Sequence, residues 1–228
     1  MSLYRDRAVV LHAWKLGEAD RIVSLHTHDH GKVRAVAKGV RRTRSRFGSR
    51  LEPTNLVAVQ LYRGRGELDT VTQVETLDRH LVLRRDPDRF ARASVLLEAV
   101  EQVAQDREPD PELHVMLARA LRTLDRHDSA VVVGAFLFKV LVHEGLGPEL
   151  DHCVSCGSTG PFEAFDPGHG GVLCRDCRFG RPLGGEALAL IRAVLSGGLG
   201  ALLDRPPDAA TAEFEALATQ AFEHHIER

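Results

Sequence analysis

All four cysteines of the chain fall in two short pairs, Cys153-Val154-Ser155-Cys156 and Cys174-Arg175-Asp176-Cys177, with 17 residues between them. That gap lies inside the window of about 15–20 residues for a zinc site built from two Cys-x-x-Cys knuckles. It obliges the segment to turn back until four thiolates meet at one tetrahedral point. Gly157, Gly160, Gly168, Gly170 and Gly171 fill the gap. The expectation is therefore a loop-rich insert, mostly turns, at about residues 148–182. One structural Zn2+ held by Cys153, Cys156, Cys174 and Cys177 is favoured over disulfides or free thiols. Cysteines confined to one segment do not staple a secreted fold. A shell of four thiolates leaves no open position for catalysis. A zinc deaminase would need His-x-Glu upstream of Pro-Cys-x-x-Cys. Here Cys153 follows His152, His143-Glu144 has no spacer, and His225-Ile226-Glu227 comes after the cysteines. No βαβ pattern surrounds either pair, so a redox role is disfavoured.

The net charge of -2 hides a division. Residues 1–80 hold 15 Lys and Arg against 9 Asp and Glu, whereas residues 81–228 hold 15 against 23. A basic front and an acidic rear suggest two domains with different partners, 1–80 and 81–228. Met1 to Arg7 carries charges and no apolar run, unlike a secretory signal. No stretch approaches the ~18 apolar residues of a membrane span. A cytoplasmic, nucleoid-associated location and no membrane partner are expected.

In the front half, residues 8–14, 21–27, 32–38, 56–63 and 68–75 read as strands. Alternation in the third places Val33, Ala35 and Ala37 on one face and Lys32, Arg34, Val36 and Lys38 on the other. That cationic face runs into Lys38-Gly39-Val40-Arg41-Arg42-Thr43-Arg44-Ser45-Arg46-Phe47-Gly48-Ser49-Arg50, where six of thirteen residues are Lys or Arg and none is acidic. Charge at this density suits a phosphate backbone. The candidate DNA-binding set is Lys32, Arg34, Lys38, Arg41, Arg42, Arg44, Arg46 and Arg50. The plain alternative is a solvated loop or a localisation-type run. Five short strands suggest a small Greek-key barrel; the OB-fold has that strand count and binds single strands in a basic groove. Aromatic residues are sparse (Tyr4, Trp14, Phe47 and Tyr62), and Phe47 is the stacking candidate, unless it anchors the loop to the barrel. His26, His28 and His30 could share a strand face and bind metal, but surface histidines are the expectation.

The rear half is helical. Apolar periodicity marks helices from about Phe90 to Val103 and from Pro111 to Leu124, the second started by Asp110 as N-cap and Pro111. Ala130 to Glu144 is apolar nearly all round, as in the middle of a bundle, with Gly145 as its C-cap. Ala187 to Leu195 and Asp208 to Ile226 complete the set.

Several stretches carry a family resemblance. Glu18-Ala-Asp-Arg-Ile-Val-Ser-Leu25, Gly31-Lys-Val-Arg-Ala-Val-Ala-Lys-Gly-Val-Arg41, Ser45-Arg-Phe-Gly48 and Leu51-Glu-Pro53 resemble the N-terminal barrel of the bacterial RecO family. Tyr62-Arg-Gly-Arg-Gly-Glu-Leu68, Gln73-Val-Glu75, Phe136 to Gly147 and Pro148-Glu-Leu-Asp-His-Cys153 extend the likeness over nearly the whole chain. The resemblance implies an α+β protein: an OB-fold barrel, then a helical bundle interrupted by a zinc knuckle. It also implies a recombination mediator that binds single- and double-stranded DNA and anneals complementary strands. Working with RecR, such a mediator helps RecA displace single-strand-binding protein. It implies no catalytic residues. The alternatives are a zinc-dependent nucleic-acid-processing enzyme and, more weakly, an adaptor whose basic run binds acidic protein.

Overall fold

A computed structural model describes residues 2–41, 45 and 47–227. The chain divides into two compact units, residues 1–126 and 127–228.

In the first unit, strands β1 (Ser2–Leu16), β2 (Asp20–Thr27), β3 (Gly31–Ala37), β4 (Leu56–Arg63) and β5 (Asp69–Asp78) close into a barrel in the order β1-β2-β3-β5-β4. Every pairing is antiparallel except β3 with β5. This is the five-stranded Greek-key arrangement of the OB-fold. β1 has 15 residues and a register shift between Val10 and His12. The irregularity bends the strand, so its first half pairs with β4 and its second with β2. Alternation supplies the interior: Val23 and Leu25 from β2, Val33, Ala35 and Ala37 from β3, Val57, Val59 and Leu61 from β4. Two residues of the basic stretch, Val40 and Phe47, belong to the same core.

Helices α1 (Leu81–Arg85), α2 (Pro87–Val103) and α3 (Pro111–Arg126) complete this unit. Asp86 caps α2 through the amides of Asp88 and Arg89, and Asp110 accepts from the Leu113 amide at 2.9 Å, as expected of an N-cap. The division expected at residue 80 and the boundary of the compact unit do not coincide, because these helices are bonded to the barrel. The Lys32 amide donates to the Gln105 carbonyl at 3.2 Å, and the Arg107 amide donates to the Lys32 carbonyl at 2.9 Å. Ser24 Oγ donates to Glu101 Oε2 at 2.6 Å, and Arg107 Nη2 pairs with the buried Asp69 Oδ1 at 3.0 Å. Gly31 lies beneath this seam at φ +68°, where a Cβ would stand 2.1 Å from the Glu108 carbonyl oxygen. Only glycine fits there.

The seam also corrects the reading of the histidines. His26 is fully buried, not a surface residue, and the backbone carbonyl of His26 receives His114 Nδ1 at 3.1 Å. Helix α3 covers the outward face of β2 at this point. Among the described residues, neither ring nitrogen of His26 has a hydrogen-bond partner.

In the second unit, α4 (Val131–His143) is buried over almost its whole surface. It packs with α5 (Gly185–Leu195) and α6 (Ala209–Ile226). The Phe138 and Phe214 rings lie 5.7 Å apart, and the missing Cβ of Gly134 leaves room for Phe214. Gly145, at φ +78°, ends α4 as expected. The cysteine insert, expected to be mostly turns, also carries a small sheet of β6 (Phe162–Asp166), β7 (Gly171–Cys174) and β8 (Arg181–Pro182), in the order β7-β6-β8. Among the described residues, no helix is long and apolar enough to cross a membrane.

Burial, reinforced by the neighbouring His114, pulls His26 down to about pKa 4. A histidine depressed in the fold contributes stability that is complete above its unfolded pKa of about 6.5 and is lost as pH falls towards the folded value. Stability of the first unit should therefore drop between about pH 6.5 and 4, by about 3 kcal/mol from this group. His26→Leu should flatten that part of the profile, read by urea unfolding at a series of pH values. An unchanged profile in the variant would contradict the assignment.

Candidate metal centre and nucleic-acid interface

The cysteine pairs are brought together by β7, which is bonded on both sides. β6 pairs with it in antiparallel register, with Phe162 opposite Cys174. On the other side, the Val172 amide donates to the Glu149 carbonyl and the Val154 amide to the Val172 carbonyl, each at 3.0 Å. A Cβ on Gly171 would come within 2.4 Å of the Glu149 oxygen, so glycine permits this approach. The first knuckle is closed by the Gly157 amide on the Cys153 carbonyl at 2.8 Å, with Gly157 at φ +76°. The second is closed by the Cys177 amide on the Cys174 carbonyl at 3.2 Å.

As a result, the four Sγ atoms lie within 4.8 Å of one another, and Cys156 Sγ is 3.7 Å from Cys174 Sγ. Tetrahedral thiolates around zinc are separated by about 3.8 Å, given a Zn–S distance of about 2.3 Å. The donor set thus fits a divalent metal. The Cys174 amide, 3.4 Å from Cys153 Sγ, draws the Cys153 thiol down to about pKa 6. Cys177 moves the opposite way: the Ser155 hydroxyl lowers it, but the Cys156 and Cys174 sulfurs outweigh that and push it up to about 12. Four crowded thiols cannot all ionise unaided, and a bound cation removes the repulsion.

The cationic candidates do not share one environment. Arg34 and Lys38 are exposed on the outer face of β3 and just beyond it, as alternation requires. Arg41 is exposed and donates to the carbonyls of Gly17 and Glu18 at 3.3 and 3.0 Å, tying the start of the basic run to the β1–β2 loop. Arg50 is half-buried and donates to the Phe47 carbonyl at 3.2 Å. Arg42, Arg44 and Arg46 lie outside the described residues. Lys32 departs from the expectation. Only 9% exposed, it donates through Nζ to the Glu101 carbonyl at 2.7 Å and lies 3.8 Å from Asp106 Oδ1. Its charge is engaged by the end of α2. Phe47 is also withdrawn: at 1% exposed it plugs the barrel and cannot stack on a base. Of the two roles open to Phe47, stacking on a base and anchoring the loop to the barrel, the structure shows the anchor.

A broad groove across β1, β4 and β5 is lined by Arg5, Arg7, Gln60, Gln73, Asp29 and Glu75 among others. Its charges are of both signs, and Arg5 Nε is tied to Gln60 Oε1 at 2.8 Å. It is less suited to a polyanion than the exposed cations Arg34, Lys38 and Arg41 of β3 and the turn after it.

Comparison with known proteins gives a consistent result. A family model described as recombination protein O N terminal matches residues 1–80, and one described as recombination protein O C terminal matches residues 84–228. A protein named DNA repair protein RecO from Cutibacterium acnes is 45% identical over 210 residues, 86% of this chain and 84% of that protein. Another of the same name from a Nocardioides species is 42% identical over 235 residues, 99% of this chain and 96% of that protein.

Replacing Cys174 by Ser should reduce bound divalent metal from about one per chain to near zero. Because binding energy at such a site is also folding energy, the variant should be cut by protease within residues 148–182 well before the barrel is cut. Metal analysis and limited proteolysis read both effects, and full metal retention would show the ligand set to be wrong.

Proposed function

The chain belongs to the recombination protein O family, and we propose that it is a non-enzymatic DNA-repair mediator. On this reading it binds single- and double-stranded DNA and anneals complementary strands in the cytoplasm. With RecR, it promotes loading of RecA on DNA coated by single-strand-binding protein. The observation that carries the DNA-binding part is the exposure of Arg34 on the outer face of β3 and of Lys38 and Arg41 in the turn after it, where the sequence runs on into Arg42, Arg44, Arg46 and Arg50. Phosphate contacts position a strand without reading its sequence. A mediator that must act on any broken DNA needs that property.

The metal would be one structural Zn2+ on Cys153, Cys156, Cys174 and Cys177. A closed shell of four sulfurs leaves no coordination position for a substrate, which favours a mediator over a zinc-dependent processing enzyme. When bound, the ion supplies charge neutralisation and a cross-link; the chain's own residues position the two knuckles. Protein partners are assigned to the second unit. Residues 127–228 carry 14 Asp and Glu against 7 Lys and Arg, a balance that repels DNA and leaves this unit to protein contacts.

Salt dependence tests the nucleic-acid site. Changing Arg41, Arg42, Arg44 and Arg46 together to Ala should weaken binding to all single-stranded sequences alike. It should also flatten the log–log salt slope by up to about 3 units, at ~0.7 per lost contact. Lys32→Met serves as a control: it should lower stability and leave the slope unchanged. A folded quadruple variant with wild-type affinity and slope would sink the assignment.

A further inference from the structure

The barrel carries a band of outward side chains, half-buried at Ile22, Val36 and Thr70, that crosses the sheet from one exposed aromatic residue to another. Trp14 of β1 pairs with Ile22 of β2, Ile22 with Val36 of β3, Val36 with Thr70 of β5, and Thr70 with Tyr62 of β4. The flanking Val23, Ala35, Ala37, Leu61 and Val71 are all buried in the barrel, so the band residues point outward. The two ends are open: Trp14 is 44% exposed and Tyr62 is 37% exposed. At about 4.8 Å per strand, four steps separate the aromatic ends by about 19 Å along the sheet.

Trp14 is held ready for a ligand. The His12 ring stacks on it at 5.2 Å and 14° between planes, and His12 Nε2 is fixed by Glu98 Oε2 at 3.2 Å. One indole face is thereby covered and the ring orientation is set. Arg34 and Lys38, both exposed, lie two residues either side of Val36 at the middle of the band. Two π-faces with cations flanking the line that joins them match the bases and phosphates of one strand. Glu98 and Glu101 of α2 bound the band on the side of the buried Ser24 and Lys32. Their charge would turn a polyanion away from α2 and towards Lys38 and Arg41. The covered and open parts of this face thus define one path.

We propose that this band is the base-stacking floor of the nucleic-acid site: nucleobases of a single strand stack on Trp14 and Tyr62 while Arg34 and Lys38 hold the intervening phosphates. This inference rests on the DNA-binding reading above and adds the residues that take the bases. Double-stranded DNA hides its base faces, so the floor selects unpaired strands, the form an annealing protein must hold.

Trp14 is the only tryptophan of the chain, so intrinsic emission reports on one end of the floor directly. The full-length protein is titrated with a dT oligonucleotide, with emission and anisotropy read together. Stacking should quench the emission with the same midpoint as binding. An abasic oligonucleotide of equal length should bind more weakly and leave emission unchanged. Trp14→Ala and Tyr62→Ala should each reduce single-strand affinity by about 5- to 150-fold, while Trp14→Phe retains most of it. Neither uncharged change should alter the salt slope, unlike loss of the arginines. Circular dichroism and unfolding checks are simple here because both side chains are exposed. If DNA binds tightly with no quench, and Trp14→Ala binds like wild type, the floor is overturned while the DNA-binding reading stands. Failure of the wild-type protein to bind any single strand would overturn both. Quenching by an acidic peptide but not by the oligonucleotide would assign the band to a protein partner and overturn it too.

Discussion

Lys32 is gripped at three points by the end of α2 and the turn beyond it: its amide by Gln105, its carbonyl by Arg107 and its ammonium by Glu101. A buried ammonium without partners would be strongly unfavourable, so charge and hydrogen bonds must be satisfied together. That requirement locks α2 and α3 onto one half of the outer face of β2 and β3. Ser24 and His26 disappear beneath the helices, Val36 is half-buried, and Arg34 and Lys38 stay in solvent. The OB-fold commonly uses the face of its second and third strands for ligands. Here the clamp divides that face, and what remains open is the cationic end that adjoins the basic run.

The second unit follows a different logic. Its helical core is conventional apolar packing around α4, but the insert has a core of only a few residues, including Ala164, Leu173, Cys153 and Cys174. So small a cluster cannot by itself offset the entropy of ordering some thirty residues. A metal held by the four sulfurs would supply the missing cross-link. On the proposed reading the metal serves the folding of the insert, and DNA is the business of the basic barrel.

Much of this was legible in the residues. Alternating apolar positions gave five strands, four nearly in their observed places and the first, expected at 8–14, short of β1's charged opening half from Ser2; Asp110, Pro111 and Gly145 marked helix ends correctly. The knuckle spacing gave a cysteine cluster that the structure brings together. The RecO resemblance is matched by the family models and by the curated relatives. What could not be read was which outward side chains meet other elements. Lys32 and Arg34 have the same strand parity, yet α2 covers one and not the other. Phe47 and Trp14 both stand near basic residues, yet the barrel interior takes Phe47 and the sheet bend leaves Trp14 outside. His26 was misjudged for the same reason, since nothing local announces α3. Those outcomes depend on contacts between residues far apart in sequence, to which strand periodicity is blind.

The central claim is that a single strand lies across the open end of the barrel's outer face. Hydrogen exchange of the full-length protein, with and without a saturating dT oligonucleotide, addresses it most directly. Added protection should fall on residues 12–16 and 34–41 and on the basic run. The amides of 24–27 should change little, because the helices already cover them. Protection confined to residues 127–228, with the barrel unaffected, would contradict the account.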